Sequence, residues 1–302
     1  MSRDVYEHES ERDVASAAAA PTPSREAVVI KPLPTPEHPT RDASETREQG
    51  SGREDGRTND RLREPVERYR LSPAEQQILR DIGRFRAIHT ADLQRYGYGN
   101  NARALTSDLR RLREEGLVKQ HTLWNQDRKS TVVVLTKKGQ RAVERDPQTG
   151  TGQKVYSGLA KRGEIAHDAA IYRMYQAESA DIRARGGTVR RVVLDYELKR
   201  KVYSPLAKDR PRLKPEEYTK RQAEVAAEIG LEVVNGKIPL PDLRIEYETR
   251  EGEMAKVDLE LATEHYKASQ VAEKASAGFV VHSEGGGGKP EDRDLISEIL
   301  SL

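Results

Sequence analysis

The sequence predicts an α+β protein: a small helical unit ending in a hairpin, then a larger α/β unit where helices flank a sheet. Three observations point there. Residues 1–68 are rich in Pro, Ser, Thr, Glu and Arg and nearly devoid of aromatics, so they cannot bury enough apolar surface to offset their ordering entropy. Residues 69–146 place apolar side chains at helical spacing and then show a β-branched run. Residues 163–302 alternate helical and strand-like segments, the pattern of a sheet covered by helices. The tail is expected to be disordered, and the Gly-, Gln- and Thr-rich stretch 147–162 to be a linker.

Within the tail, Val28-Val29-Ile30 is the one apolar cluster and reads as a chance triplet. Order begins near Leu71. Ser72-Pro73-Ala74-Glu75 combines an N-cap serine, a proline at the first helical position and a glutamate at N3. Ile78, Leu79 and Ile82 then form one apolar face. Thr90 is expected to cap a second short helix, and Tyr96-Gly97-Tyr98-Gly99-Asn100 to turn the chain. A third helix runs over 101–115 until Gly116 stops it. Residues 117–124 and 131–135 pair as a hairpin around a polar turn at 125–130, and a closing helix starts at Thr136. In the larger unit, helices are expected over 163–185, 211–230, 264–277 and 292–300. Strands are expected over 188–203, 238–247, 254–263 and 278–282.

The 302 residues carry a formal net charge of +2, unevenly spread. Residues 71–145 hold 15 Lys or Arg against 8 Asp or Glu, a net of +7, while residues 231–264 hold 4 against 9, a net of −5. A basic excess favours a polyphosphate partner, because neutralising phosphates releases counterions. The absence of cysteine excludes disulfides, thiolate zinc sites and cysteine nucleophiles. No apolar run approaches bilayer length, and the alanine stretch 15–20 is too short for a signal peptide. A cytoplasmic protein without a membrane partner is expected.

Three helices followed by a two-stranded wing is the element order of a winged helix. "REEGLV", a hairpin and "LTKKGQRAV" resemble the winged-helix superfamily of bacterial regulators. On the third helix Leu105, Leu109 and Leu112 share a face that must pack inward. Arg103, Thr106, Ser107 and Arg110 fall opposite, facing a major groove. Arg128 and Lys129 sit at the wing tip, where phosphate or minor-groove contact is made. Charged helix faces also serve solubility alone. Element order, net charge and basic wing together favour duplex DNA, with protein contact the rival use.

In the larger unit Pro241-Asp242 opens a strand, and Asp258-Leu259-Glu260-Leu261-Ala262 lies on its hairpin partner. This spacing resembles the restriction-endonuclease-like pattern, PD followed by D/E-x-K. There the two acids hold Mg²⁺ and the lysine stabilises charge. Asp242 and Glu260 match the acids, as catalytic and metal-holding candidates. Ala262 stands at the lysine position and does not match. Lys256, Lys267 and Lys274 lie near, and Lys267 is the candidate displaced lysine. The acids also have a plain explanation as the solvent face of alternating strands.

A winged helix, "EIAHDAAIYRMY", a PD-bearing strand and "VDLELATEHYKASQ" together are similar to the replication-relaxation family of plasmid and mobile-element proteins. The resemblance implies a winged helix joined to a restriction-endonuclease-like domain, acting in plasmid replication or mobilisation. With its lysine position lost, the second domain is expected to be non-catalytic and to contact a homodimer partner or replication and mobilisation proteins. A Mg²⁺-dependent nickase and a winged-helix transcriptional regulator stay open. His167-Asp168 lacks the further histidines of a metal phosphohydrolase, so His167 reads as a packing or hydrogen-bonding residue, and His265 as a helix-start residue. Gly285–Gly288 with Lys289 lacks the spacing of a phosphate loop, and Ser157 and Ser204 lack His/Asp partners.

Overall fold

The computed structural model describes residues 30–33, 69–125, 128–159, 164–262 and 266–283. It is a mixed α+β molecule with a three-stranded and a five-stranded sheet. The first element corrects the reading of the tail: Ile30–Pro32 forms strand β1, on the edge of the larger sheet, and Leu33 is buried. Lys31 bonds Glu178 at 2.7 Å and Asp181 at 2.8 Å. A three-residue strand has no detectable periodicity, so only its tertiary partners reveal it. Val28, Val29 and the rest of 1–68 lie outside the described residues.

Helix α1 (Pro73–Phe85) begins as its sequence demands. The Ser72 hydroxyl accepts from the Glu75 N–H at 3.2 Å, and the Glu75 carboxylate accepts from the Ser72 N–H at 2.7 Å. Such a cap is worth about 0.5–2 kcal/mol. After β2 (Ile88–His89) comes α2 (Thr90–Asp92), which continues as a π-turn, Leu93–Gly97. Thr90 is the first residue of α2 rather than its cap, and its hydroxyl donates to the Thr131 carbonyl at 3.1 Å. Helix α3 (Ala102–Glu114) is capped by Asn101 and ends at Gly116, where φ is 67°. Strands β3 (Val118–Asn125) and β4 (Arg128–Leu135) pair antiparallel with Asn125 opposite Arg128, so the turn is tighter than the polar stretch suggests. Thr136 caps α4 (Lys137–Glu144), and a Cβ on Gly139 would overlap the Leu117 carbonyl, which explains the glycine there. The smaller sheet runs β2-β4-β3.

Helix α5 (Ile165–Ala184) leads into β5 (Thr188–Leu194), α6 (Asp195–Asp209) and α7 (Pro215–Glu228). Strands β6 (Leu243–Glu248) and β7 (Met254–Ala262) form the expected hairpin, and α8 (Ala268–Ser276) crosses over to β8 (Val280–Ser283). The larger sheet runs β1-β8-β7-β6-β5, antiparallel among β5, β6 and β7, with β8 parallel to β7 and β1 parallel to β8. The strand expected over 188–203 stops at Leu194. Leu198, Val202 and Leu206 follow at four-residue intervals and are buried, so that segment is helix α6. The helix expected over 292–300 lies outside the described residues.

Helix α5 fuses the two units. It packs α1 and β2 on one side and β5, β6 and β7 on the other. Phe85 of α1 meets the Tyr172 and Tyr175 rings at 5.2 and 4.8 Å, and the Tyr172 hydroxyl donates to Asp81 at 3.2 Å. Arg173 bonds Asp92 at 3.3 Å, both buried. The stretch read as a linker is packed over 147–159. Val155 and Tyr156 belong to the common core, the Tyr156 N–H donates to Gly83, and Gln153 exchanges two hydrogen bonds with the Val192 backbone. Its polar composition hid this, because glutamine and threonine side chains there satisfy buried backbone. Among the described residues no helix is long and apolar enough to cross a membrane.

Candidate functional site

Two regions gather the residues singled out by sequence. The first is the outer face of α3. Leu105, Leu109 and Leu112 are buried, which turns Arg103, Thr106, Ser107 and Arg110 to solvent. Arg103 and Arg110 make no ion pair among the described residues. Their neighbour Arg111 is used differently. Its guanidinium grips the buried carboxylate of Glu75 through two nitrogens and anchors α3 to α1. Asp108 accepts from the Tyr98 hydroxyl at 2.7 Å and so holds the turn before α3. On hairpin β3–β4, Trp124 is 71% exposed with the Lys129 ammonium 5.9 Å from its ring. Arg128 begins β4 at the tip of the same hairpin.

The second region lies at the start of hairpin β6–β7. Asp242 and Glu260 line one pocket of about 470 Å³ together with Lys274, Tyr266, Asp195 and Lys199. Asp242 stands just before β6. One of its oxygens accepts from the Leu261 N–H at 2.9 Å, and the other faces His167 Nε2 at 3.3 Å. Glu260 is almost fully buried. Its Oε1 takes the Lys274 ammonium at 2.8 Å and the Tyr266 hydroxyl at 2.7 Å, while Oε2 has no hydrogen-bond partner among the described residues. Lys274 also donates to the Leu240 carbonyl at 2.7 Å. Lys267 is not in this lining: it is exposed at the start of α8, where its backbone N–H bonds Gln270. The lysine that reaches the acids is Lys274, two helical turns further on. Asp258, the other acid of the motif, is held apart in a buried bidentate pair with Arg244, at 2.6 and 2.8 Å.

Burial and the charge of Asp242 both push the Glu260 carboxyl above the usual range, against the opposing pull of Lys274 and Tyr266. The hydrogen bond to Asp242 raises His167, outweighing desolvation. His167 thus contributes stability that is present below its ordinary pKa of 6.5 and lost as pH rises through its raised folded value. Next to it, burial lifts Asp168 to about 6. Asp168 sits 3.8 Å from the Arg86 guanidinium, which lies 4.1 Å over the Tyr196 ring. Arg86 reaches there from the end of α1 with a left-handed φ of 64°, a conformation costing about 1–3 kcal/mol that surrounding contacts must hold.

The resemblance to a Mg²⁺ nuclease can be tested on these donors. Three of the four carboxylate oxygens of Asp242 and Glu260 are already engaged by Leu261 N–H, His167 and Lys274, leaving Glu260 Oε2. Among the described residues no group of three or more His, Asp or Glu side chains is placed to hold a metal ion. Mg²⁺ is commonly held by one or two carboxylates with water and substrate phosphate, so the described residues offer a partial donor set centred on Glu260 Oε2 rather than a complete cage. Asp242 forms a hydrogen-bonded pair with His167, and Glu260 an ion pair with Lys274.

The structure brings Asp242 and Glu260 together, and it adds His167, Lys274 and Tyr266, none of which the sequence reading placed at the acids. His167 and Tyr266 lie within the segments "EIAHD" and "TEHYK" that carry the resemblance, so their position was the available signal. Lys274 had only its helical distance from Glu260. No family model matches the chain, and comparisons with curated proteins and with solved structures find no match.

Proposed function

We propose that this chain is a DNA-binding accessory protein of a plasmid or mobile-element type, engaging duplex DNA through a winged helix at 69–146. The observation that carries the reading is the outer face of α3, where Arg103 and Arg110 stand in solvent without ion-pair partners beside Thr106 and Ser107. A cation with no internal partner is free to release counterions from phosphates and to bond base edges. The basic wing with Lys129 and Trp124 flanks it, as a second contact along the backbone. In this reading the restriction-endonuclease-like second domain is non-catalytic. Its acids are engaged in pairs, Asp242 with His167 and Glu260 with Lys274, which suits a rigid support for α5 and contact with a second copy or a replication protein.

The test is a titration of duplex DNA with purified protein across a salt series, with and without Mg²⁺. Salt-dependent binding without cleavage is expected, and Arg103→Ala/Arg110→Ala should weaken it at least tenfold while lowering the salt slope by about 2. A folded double variant that binds as tightly as the parent would overturn the proposal. A second reading, a Mg²⁺-dependent nickase, draws on the buried Oε2 of Glu260, which has no partner among the described residues and lies in the same pocket as Asp242. Nicking that needs Mg²⁺ and vanishes in Asp242→Ala would establish it.

A further inference from the structure

Helices α6 and α7 cover the far side of the larger unit, held by a small core of Val202, Leu206, Val225, Leu231, Ile238 and Phe279. Above that core lie two adjoining cavities of about 470 and 390 Å³ that share Tyr203, Leu206 and Tyr218, so together they form one groove. Tyr203 is 54% exposed on a helix that buries Leu198, Val202 and Leu206. The surroundings are strongly basic: residues 198–214 hold 7 Lys or Arg against a single acid, a net of +6. Of the cations that line the groove, Lys237 and Arg210 are exposed and make no ion pair among the described residues, while Lys199 and Lys274 are paired with Asp195 and Glu260. Arg200, Lys201, Lys208 and Arg212 are exposed and unpaired among the described residues on the surface around it. Arg210 lies 5.9 Å over the Tyr218 ring.

An exposed tyrosine ring beside cations without an ion pair among the described residues narrows the choice of occupant. An acidic peptide would use the cations and leave Tyr203 with nothing to stack on it. An apolar segment would use Tyr203 and strand the cations. A polynucleotide uses both, with a base on the Tyr203 ring and phosphates on Lys237, Arg210 and the basic surface around them. Base stacking decides between its forms: a tyrosine ring stacks on an unpaired base, whereas the bases of a duplex are already stacked on one another and turned inward. Of the four acids in the lining, Glu260 and Asp195 are ion-paired with Lys274 and Lys199, and Asp242 is hydrogen-bonded to His167. Glu273 stands without an ion pair among the described residues, so the most basic end of the groove is the one at Arg210.

We propose that the groove between α6, α7 and the segment around Lys237 binds an unpaired polynucleotide strand, with a base stacked on Tyr203. This goes beyond duplex binding and uses no residue of α3. The experiment is fluorescence anisotropy of a labelled oligothymidylate and of a duplex, each titrated with the full chain, with Tyr203→Ala/Lys237→Ala and with Arg103→Ala/Arg110→Ala. The groove variant should lose about fivefold or more in affinity for the single strand, the low end for one lost base stack, and keep its duplex affinity. The α3 variant should do the reverse. If the chain binds no oligothymidylate, or if the α3 variant loses both ligands while the groove variant loses neither, the proposal is wrong. Loss of the duplex reading with single-strand binding intact would leave this groove standing alone. Tyr203 and Lys237 are exposed, so both variants should fold, which circular dichroism checks.

Discussion

The outer face of α3 and the pocket under hairpin β6–β7 both collect charged side chains, but they hold them in opposite ways. On α3, Arg103 and Arg110 project into water with no ionic partner among the described residues. In the pocket, Glu260 is buried against Lys274, Asp242 is bonded by His167 and a backbone N–H, and neighbouring Asp258 is locked to Arg244. An exposed, unpaired charge contributes almost nothing to folding and stays available to an outside ligand. A buried, paired one is committed to the fold, because removing its partner leaves an uncompensated charge in low dielectric. The same contrast appears inside α3, where Arg111 is committed to Glu75 and Arg110 one residue earlier is free.

The sharpest way to break this comparison is Arg244→Ala. It strips a bidentate partner from the buried Asp258 and should cost about 3–5 kcal/mol, read from urea unfolding. The Arg103→Ala/Arg110→Ala pair should move unfolding by less than about 0.5 kcal/mol per site while weakening DNA binding. Equal losses of stability from the two kinds of variant would erase the distinction.

A second probe is pH. The folded state holds the Asp168 carboxyl near 6 against an ordinary 3.8, so between those values the folded protein binds the proton more tightly than the unfolded chain. Its contribution to stability therefore falls as pH rises from 3.8 to about 6 and is flat above. Asp168→Asn should remove that slope, seen as unfolding midpoints that no longer drop across the interval. An unaltered slope in the variant would mean another group sets it.

The smallest expected effect is at hairpin β3–β4. Trp124→Ala should leave stability within about 0.5 kcal/mol, because the ring is exposed, and weaken duplex binding by a few-fold through lost backbone contact. Stability falling by more than that would show that the ring supports the hairpin instead.

Local chemistry was easiest to read. The Ser72 capping box, the Leu105, Leu109 and Leu112 stripe, the Gly116 stop and the β6–β7 hairpin each depend on residues within a few positions of one another, and each is present. The α6 segment misled because Val189, Arg191 and Val193 alternate at strand spacing up to the point where Asp195 starts a helix. Lys267 and Lys274 both stood within reach of Glu260 in sequence, and only the direction of α8 selects the second.

What the sequence determined by itself is the α+β class, the order of most elements and the faces they turn inward, since period and cap chemistry are properties of neighbours along the chain. What the tertiary structure alone decided is which distant groups meet. Strand β1 finds the edge of β8, Val155 and Tyr156 enter a core shared by both units, and His167 and Lys274 arrive at the two acids from helices 93 residues before Glu260 and 14 after it. The physical reason is that a buried charge or an open strand edge needs a partner but does not specify, from its own neighbourhood, where in the chain that partner will come from.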